Sequence, residues 1–188
     1  MLTLDKIYHA AFVLKDVARK TDLIEAPRLS KDCQLYLKTE NLQVTGSFKV
    51  RGAYYKISQL SKEESDKGVI ACSAGNHAQG VALAATRRGI KSIVCMPDGA
   101  PIMKVENTKN LGAEVCLVPG TYDDAHDKAV ELQEETGPSS TPTTTSRSSP
   151  VRVPSASKFS TSCPMWTPSS CLWAAADSSP AWPSPSRA

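Results

Sequence analysis

Up to Gly137 the apolar positions of this chain gather into short, mostly continuous blocks. Val69-Ile70-Ala71-Cys72-Ser73, Ser92-Ile93-Val94-Cys95-Met96 and Glu114-Val115-Cys116-Leu117-Val118 each close on turn-like residues. Continuous rather than alternating apolar character suits strands covered on both faces. Between and after these blocks the period lengthens to that of helices: His77 to Arg88, Pro101 to Leu111 with its proline early in the helix, and Tyr122 to Thr136. Strand and helix alternating at this spacing predict βαβ units, and hence an α/β fold with a parallel, doubly wound sheet. A strand at Leu35 to Lys38 and an N-terminal helix from about Leu4 to Arg19 complete the expected elements.

Such a sheet directs attention to the carboxyl ends of its strands, where helix N-termini point N–H groups at anions. Ser73-Ala74-Gly75-Asn76-His77 occupies one such place. Gly75 permits close backbone approach, and Ser73 and Asn76 add polar side chains, so a carboxylate or phosphate fits there. A plain strand-to-helix turn capped by Ser73, with His77 half exposed, accounts for the same residues equally well.

A second segment, Thr45-Gly46-Ser47-Phe48-Lys49-Val50-Arg51-Gly52-Ala53, places a lysine between two apolar residues. Thr45, Gly46 and Ser47 read as a tight turn and N-cap, which puts Lys49 in the first turn of a helix, where the macrodipole disfavours a cation. Apolar surroundings and the dipole both favour the neutral amine, the form that condenses with a carbonyl. Taken alone, an ordinary solvated lysine on an amphipathic helix remains open.

Composition removes several classes of function. A formal charge of +3 with no aromatic-interleaved basic stripe gives no case for nucleic acid. The longest early apolar run, Ala10 to Leu14, is too short for a membrane span, and Asp5 argues against a secretory leader, so a cytoplasmic protein is expected. Cys72, Cys95 and Cys116 lie inside β-like runs and read as small buried hydrophobes of a reducing compartment. There is no CxxC pair and no histidine at metal-ligand spacing, so no metal site is expected.

After Gly137 the chain changes character. All ten glycines lie at or before it, while nine of the thirteen prolines and all three tryptophans lie beyond. Residues 1–137 carry 18 Lys and Arg against 18 Asp and Glu, and the remainder carries 4 against 1.

The two candidate segments, taken in order, carry a family signature. Lys38-Thr39-Glu40-Asn41-Leu42-Gln43-Val44 leading into Thr45 to Ala53, then Ser73-Ala74-Gly75-Asn76-His77-Ala78-Gln79-Gly80, closely resemble the threonine dehydratase (threonine ammonia-lyase) family. Further matches follow at Met96-Pro97, Ala100-Pro101 with Lys104-Val105, and Gly112-Ala113-Glu114-Val115, so the resemblance covers residues 1–137 nearly end to end. It implies the tryptophan-synthase-β fold (fold type II) and the cofactor pyridoxal 5'-phosphate. Lys49 would form the Schiff base and exchange the substrate α-proton, Phe48 would pack near the cofactor ring, and Asn76 would bond its ring oxygen. The loop Ser73, Ala74, Gly75, Asn76 and His77 would grip a small amino-acid substrate by its carboxylate. The implied reaction converts L-threonine, and L-serine as well, to a 2-oxo acid and ammonia, in a parent enzyme that is a homo-oligomer. Serine racemases carry a serine where this chain has Ala74, and alanine cannot exchange a proton, which favours elimination over racemisation. A non-catalytic α/β anion-binding module is the alternative from another class, though no G-x-G-x-x-G follows a strand here.

The same resemblance predicts segments that are missing. The family continues with a Phe-Ile-His-Pro-Tyr-Asp-Asp-like stretch, then Ala-Gly-Gln-Gly-Thr, then a glycine-rich loop for the cofactor phosphate. This chain has Pro138-Ser139-Ser140-Thr141-Pro142-Thr143-Thr144-Thr145. Read as GC-rich codons and shifted by one nucleotide, those residues return Phe-Ile-His-Pro-Tyr-Asp-Asp. Pro150 to Pro154 return Ala-Gly-Gln-Gly-Thr, and Trp173 to Ser178 return Val-Gly-Gly-Gly-Gly-Leu. Two positions leave no codon freedom: Met165-Trp166 forces valine, and Trp173 followed by Ala174 forces glycine. The expected organisation is thus a larger-domain segment at 1–44, a small α/β domain carrying the lysine at 45–137, and a frameshifted, disordered Ser/Pro/Thr-rich tail at 138–188 that truncates the fold.

Overall fold

The computed structural model describes residues 3–29, 33–136 and 139–140. The chain opens with α1 (Leu4–Val13), a two-stranded antiparallel ribbon of β1 (Leu23–Glu25) and β2 (Tyr36–Lys38), and a single 3₁₀ turn at Glu40–Leu42. It continues through α2 (Lys49–Ser58), α3 (Lys62–Lys67), β3 (Val69–Cys72), α4 (Asn76–Arg87), β4 (Ser92–Pro97) and α5 (Ile102–Asn110). Then come β5 (Glu114–Val118), α6 (Tyr122–Thr136) and β6 (Ser139–Ser140).

The main sheet has the order β5-β4-β3-β6, every pair parallel, as the alternating pattern predicts. Alternate residues of each strand serve opposite faces. Val69 and Ala71 meet Ala53 and Ile57 of α2 and Val81, Ala84 and Ala85 of α4. Val94 and Met96 meet Ala78 and Ala82 of α4 beside Val105 of α5. On the other face Ile70, Cys72 and Cys95 pack under Ala125 and Ala129 of α6. Both faces of β3 are therefore covered, which explains why all four of its residues are buried and its sequence does not alternate.

Cys72, Cys95 and Cys116 are register neighbours across β3, β4 and β5. Cys72 and Cys95 are buried and Cys116 half buried. Burial, then the neighbouring Cys116 and Cys72, pushes the Cys95 thiol up to about 12, consistent with an inert packing role.

The strand order places a topological switch between β3 and β6: the chain runs outward from β3 to β5, then crosses by α6 to the far side of β3. Ligands of such sheets bind at the carboxyl ends of the strands flanking the switch, and the residues that leave β3 there are Ser73 to His77.

Two elements differ from expectation. The first helix ends at Val13, not near Arg19; Lys15 and Val17 bond back three residues, to Phe12 and Leu14, at 3.1 and 3.2 Å. This tighter turn carries Val17 onto Val50 and Leu83, so tertiary packing decides the helix end. The strand near Leu35 begins one residue later and finds a partner, β1, that no apolar run announces. The disordered tail expected at 138–188 lies outside the described residues apart from the backbone pairing of Ser139–Ser140 with Val69 and Ile70. Among the described residues no helix is long and apolar enough to cross a membrane.

Candidate functional site

Lys49 is the first residue of α2. The approach is a turn in which Gly46 takes φ +68°, a region open to glycine, while its N–H bonds the Gln43 carbonyl at 2.8 Å. The residue preceding the helix is Phe48 rather than a side-chain cap, and the Ser47 hydroxyl instead accepts the Lys49 N–H at 3.4 Å. Lys49 is half buried, with its Nζ 5.3 Å from the centroid of the Phe48 ring. Its backbone lies against the first turns of α4, where a Cβ built on Gly80 would stand 3.2 Å from the Lys49 carbonyl.

Two residues further along, Arg51 is 2% exposed and makes a two-pronged ion pair with Glu40, Nε to Oε2 at 2.9 Å and an Nη to Oε1 at 2.8 Å. Thr21 donates to the same carboxylate at 2.8 Å, and Arg51 also reaches the Arg19 carbonyl at 3.3 Å. Gln43 closes the ring by donating to that carbonyl at 2.7 Å and accepting the Arg19 N–H at 3.0 Å. Burial works to raise the Glu40 carboxyl, but the hydrogen bonds and charge of Arg51, with Thr21 and Lys38, outweigh it and hold it below its ordinary value. The network ties residues 19–43 to the start of α2. Sequence reading passed over it, because a buried Arg–Glu pair 11 residues apart has no periodic signature.

The second half of the site is the turn from β3 into α4. Ser73 is buried and its N–H continues the ladder to the Cys95 carbonyl at 3.1 Å. Its hydroxyl accepts the Gly75 N–H at 3.3 Å, and Gly75, not Ser73, precedes the helix. A Cβ at Gly75 would meet nothing within 4 Å, so the glycine leaves backbone bare toward open space rather than relieving a clash. Ala74 is half buried and Asn76, the first residue of α4, is exposed. The Asn76 side-chain oxygen accepts a hydrogen bond from Lys104 of α5 at 2.6 Å.

His77 faces inward. Burial, then the charge of nearby Lys49, lowers its imidazole to about 4, so the ring is neutral at physiological pH. Among the described residues its Nε2 is buried without a hydrogen-bond partner, as are Thr45 Oγ1, Gln79 Nε2 and Ser92 Oγ. Unsatisfied buried groups of this kind are uncommon in finished structures, and three of these four, all but Ser92, belong to the two segments that carry the signature. The fold thus brings Lys49, Phe48 and the Ser73–His77 loop onto the adjoining starts of α2 and α4 at the switch point.

These groups suit one end of pyridoxal phosphate, the cofactor the resemblance implies. On the resemblance, Lys49 would offer the amine for the aldehyde, Phe48 an aromatic face and Asn76 an amide for the ring oxygen, and the bare backbone at Gly75 leaves room beside them. Trp173 to Ser178, where the resemblance leads one to expect the glycine-rich segment for the phosphate, lie outside the described residues.

Comparison with known proteins follows the same lines. The profile of the family described as pyridoxal-phosphate dependent enzyme matches residues 14–153. The L-threonine ammonia-lyase of Thermotoga maritima is 51% identical over 139 residues, 73% of this chain and 35% of that protein. Among solved structures, the processed form of threonine deaminase isoform 2 from Solanum lycopersicum superposes with a TM-score of 0.75 at 35% identity, covering 85% of this chain and 46% of that one. Maize serine racemase gives 0.81 at 29% identity, covering 87% and 51%. The chain therefore spans between 35% and 51% of the length of these proteins.

Proposed function

Since the chain belongs to the pyridoxal-phosphate dependent enzyme family, we propose that its gene specifies a threonine dehydratase, acting on L-threonine and also on L-serine to release ammonia and a 2-oxo acid. The observation that carries this reading is the seating of Lys49 at the first residue of α2, packed on α4, beside the Ser73–His77 loop.

Each residue has a task that its surroundings support. Lys49 Nζ would be the amine that holds the cofactor and the base placed to take the proton from the substrate Cα. Pyridoxal phosphate, when bound, supplies the electron sink for the pair left at that carbon. Phe48 would lie against the cofactor ring and Asn76 would donate to its ring oxygen. The N–H groups at the start of α4 and the Ser73 hydroxyl receive the substrate carboxylate. Ala74 brings no exchangeable proton to the opposite face, so the chemistry is one-sided and ends in loss of the β-hydroxyl. The likeness to a racemase structure is on this reading one of fold.

We further propose that the reading frame is lost after Gly137, leaving this polypeptide with the lysine half of the site and without the loop for the phosphate. Residues 1–44 then belong to a larger domain, with 45–137 the small one. The exposed apolar side chains of α1 agree, since Leu4, Tyr8 and Phe12, at 69%, 68% and 77% exposure, follow one another at four-residue steps as a face that a larger core would cover. The parent enzyme would be a homo-oligomer.

The test takes the chain as it stands and a version with the frame corrected by one nucleotide. Both are incubated with pyridoxal phosphate, reduced with borohydride and mapped by peptide mass spectrometry, and ammonia release is followed with L-threonine and L-serine. Labelling concentrated at Lys49 in both, and turnover restored with the frame, support the reading. Equal labelling of surface lysines, or turnover that survives Lys49→Ala, would overturn it. Resequencing the gene past codon 137 tests the frame directly.

A further inference from the structure

We infer that Lys104 sets the direction of the Asn76 amide, holding it so that its N–H end faces the place of the cofactor's ring oxygen; this rests on the functional reading above. The structure joins Lys104 Nζ to Asn76 Oδ1 at 2.6 Å. An ammonium group has three donors and no acceptor, so the atom it contacts must be the amide oxygen. That removes the usual ambiguity between the two ends of an asparagine side chain. With its oxygen occupied, Asn76 turns both N–H donors away from Lys104.

The direction matters because the two ends have opposite chemistry. A phenolic oxygen carrying negative charge needs a donor, and an amide turned the other way would present lone pairs to it. The ammonium also adds positive charge one hydrogen bond removed from that oxygen. Lys104 is held in place by its own helix: it lies in the first turn of α5, and the next residue, Val105, packs against the cluster of Ala78, Ala82, Val94 and Met96 that binds α5 to α4. The pairing is long-range, 28 residues apart, and belongs to α5 rather than to either segment of the lysine site. Lys104 is thus a positioning residue, acting on the cofactor through Asn76.

Borohydride trapping of pyridoxal phosphate on Lys49 in the full chain gives a readout that does not depend on turnover. The quantity measured is the cofactor concentration that half-saturates labelling, in wild type, Lys104→Met, Lys104→Arg, Asn76→Ala and the Lys104→Met/Asn76→Ala double variant. Lys104→Met and Asn76→Ala are each expected to raise it by ~10-fold, the scale of one ordinary hydrogen bond. The double variant should be no worse than Asn76→Ala alone, because both changes remove one coupled interaction. Lys104→Arg, which keeps a cationic donor, should recover most of the loss. A side-chain amide NMR signal of Asn76 that moves in Lys104→Met and not in Lys104→Arg, before any cofactor is added, would support the same conclusion. Unchanged labelling in Lys104→Met overturns the inference, and so does an equal further loss in the Asn76→Ala background, which would mean that Lys104 acts independently of the amide. If wild type shows no preference for Lys49, the functional reading falls, and this inference falls with it.

Discussion

Gly80 and Lys49 touch through backbone: a Cβ added to Gly80 would lie 3.2 Å from both the carbonyl carbon and the carbonyl oxygen of Lys49, and 3.3 Å from the Ala53 Cβ. The position of the amine is therefore coupled to the absence of a side chain one turn into α4. Gly80→Ala should gain about 1 kcal/mol of helix propensity and lose about 1–3 kcal/mol to overpacking. The obstacle is main chain, which cannot swing aside, so the net effect expected is a modest destabilisation in urea unfolding with weaker Lys49 labelling. Gly80→Val, larger and β-branched, should lose both stability and labelling outright.

The Arg51–Glu40 pair offers a sharper stability test. Removing one partner strands a buried charge, and Arg51→Met should cost about 3–5 kcal/mol. Replacing both, as in Arg51→Met with Glu40→Leu, removes the stranded charge and should restore a large part of that loss. Urea midpoints of the two variants decide the matter: a double variant no better than the single one would mean that the bonds to Arg19 and Thr21, not the pair, dominate.

Acid sensitivity should arrive in two stages. His77 is lowered to about 4 in the fold from an ordinary 6.5, so below 6.5 the unfolded chain takes up a proton that the folded chain refuses. Stability contributed by the neutral ring is complete above 6.5 and lost as pH falls toward 4, up to ~3 kcal/mol. Glu40 is held below its ordinary 4.5, so its contribution is full above that pH and is lost only below it. Unfolding free energy measured against pH in His77→Gln should flatten between 6.5 and 4 while keeping the decline below 4.5.

Thiol reactivity should follow the sheet. Cys33 is exposed, whereas Cys72 and Cys95 lie under α6. Burial raises the thiol of Cys72, and raises that of Cys95 to about 12, which suppresses the reactive thiolate. Iodoacetamide followed by peptide mapping should label Cys33 well ahead of Cys72 and Cys95, which should react only when denaturant opens the fold. Fast native labelling of Cys95 would show that α6 does not cover the sheet in solution.

Much of this arrangement can be read from residues alone, because the doubly covered strands announce themselves as apolar runs. The bounds expected for Glu114–Val118 and Tyr122–Thr136 are those observed, and Lys49 and Ser73–His77 fall where the motifs put them. What escaped shares a physical cause. Helix α3 buries no residue and so has no apolar stripe; its only signal is the capping box of Ser61 with Glu64. Strand β1 is three residues long and mostly exposed. The Lys104–Asn76 and Arg51–Glu40 contacts join distant segments, and no local pattern encodes which polar groups will meet once helices pack.

The switch in strand order also fixes a sequence of events during synthesis. A ribosome makes α2, the Ser73–His77 loop and the outward run from β3 to β5 before it adds the first residue of β6. The amine and its neighbouring loop can thus meet on nascent chain, ahead of the return strand. The short ladder of Ser139–Ser140 on Val69 and Ile70 fits that order, since main-chain pairing asks nothing of the side chains. A chain whose frame is lost after Gly137 would thus still carry Lys49 and the Ser73–His77 loop together.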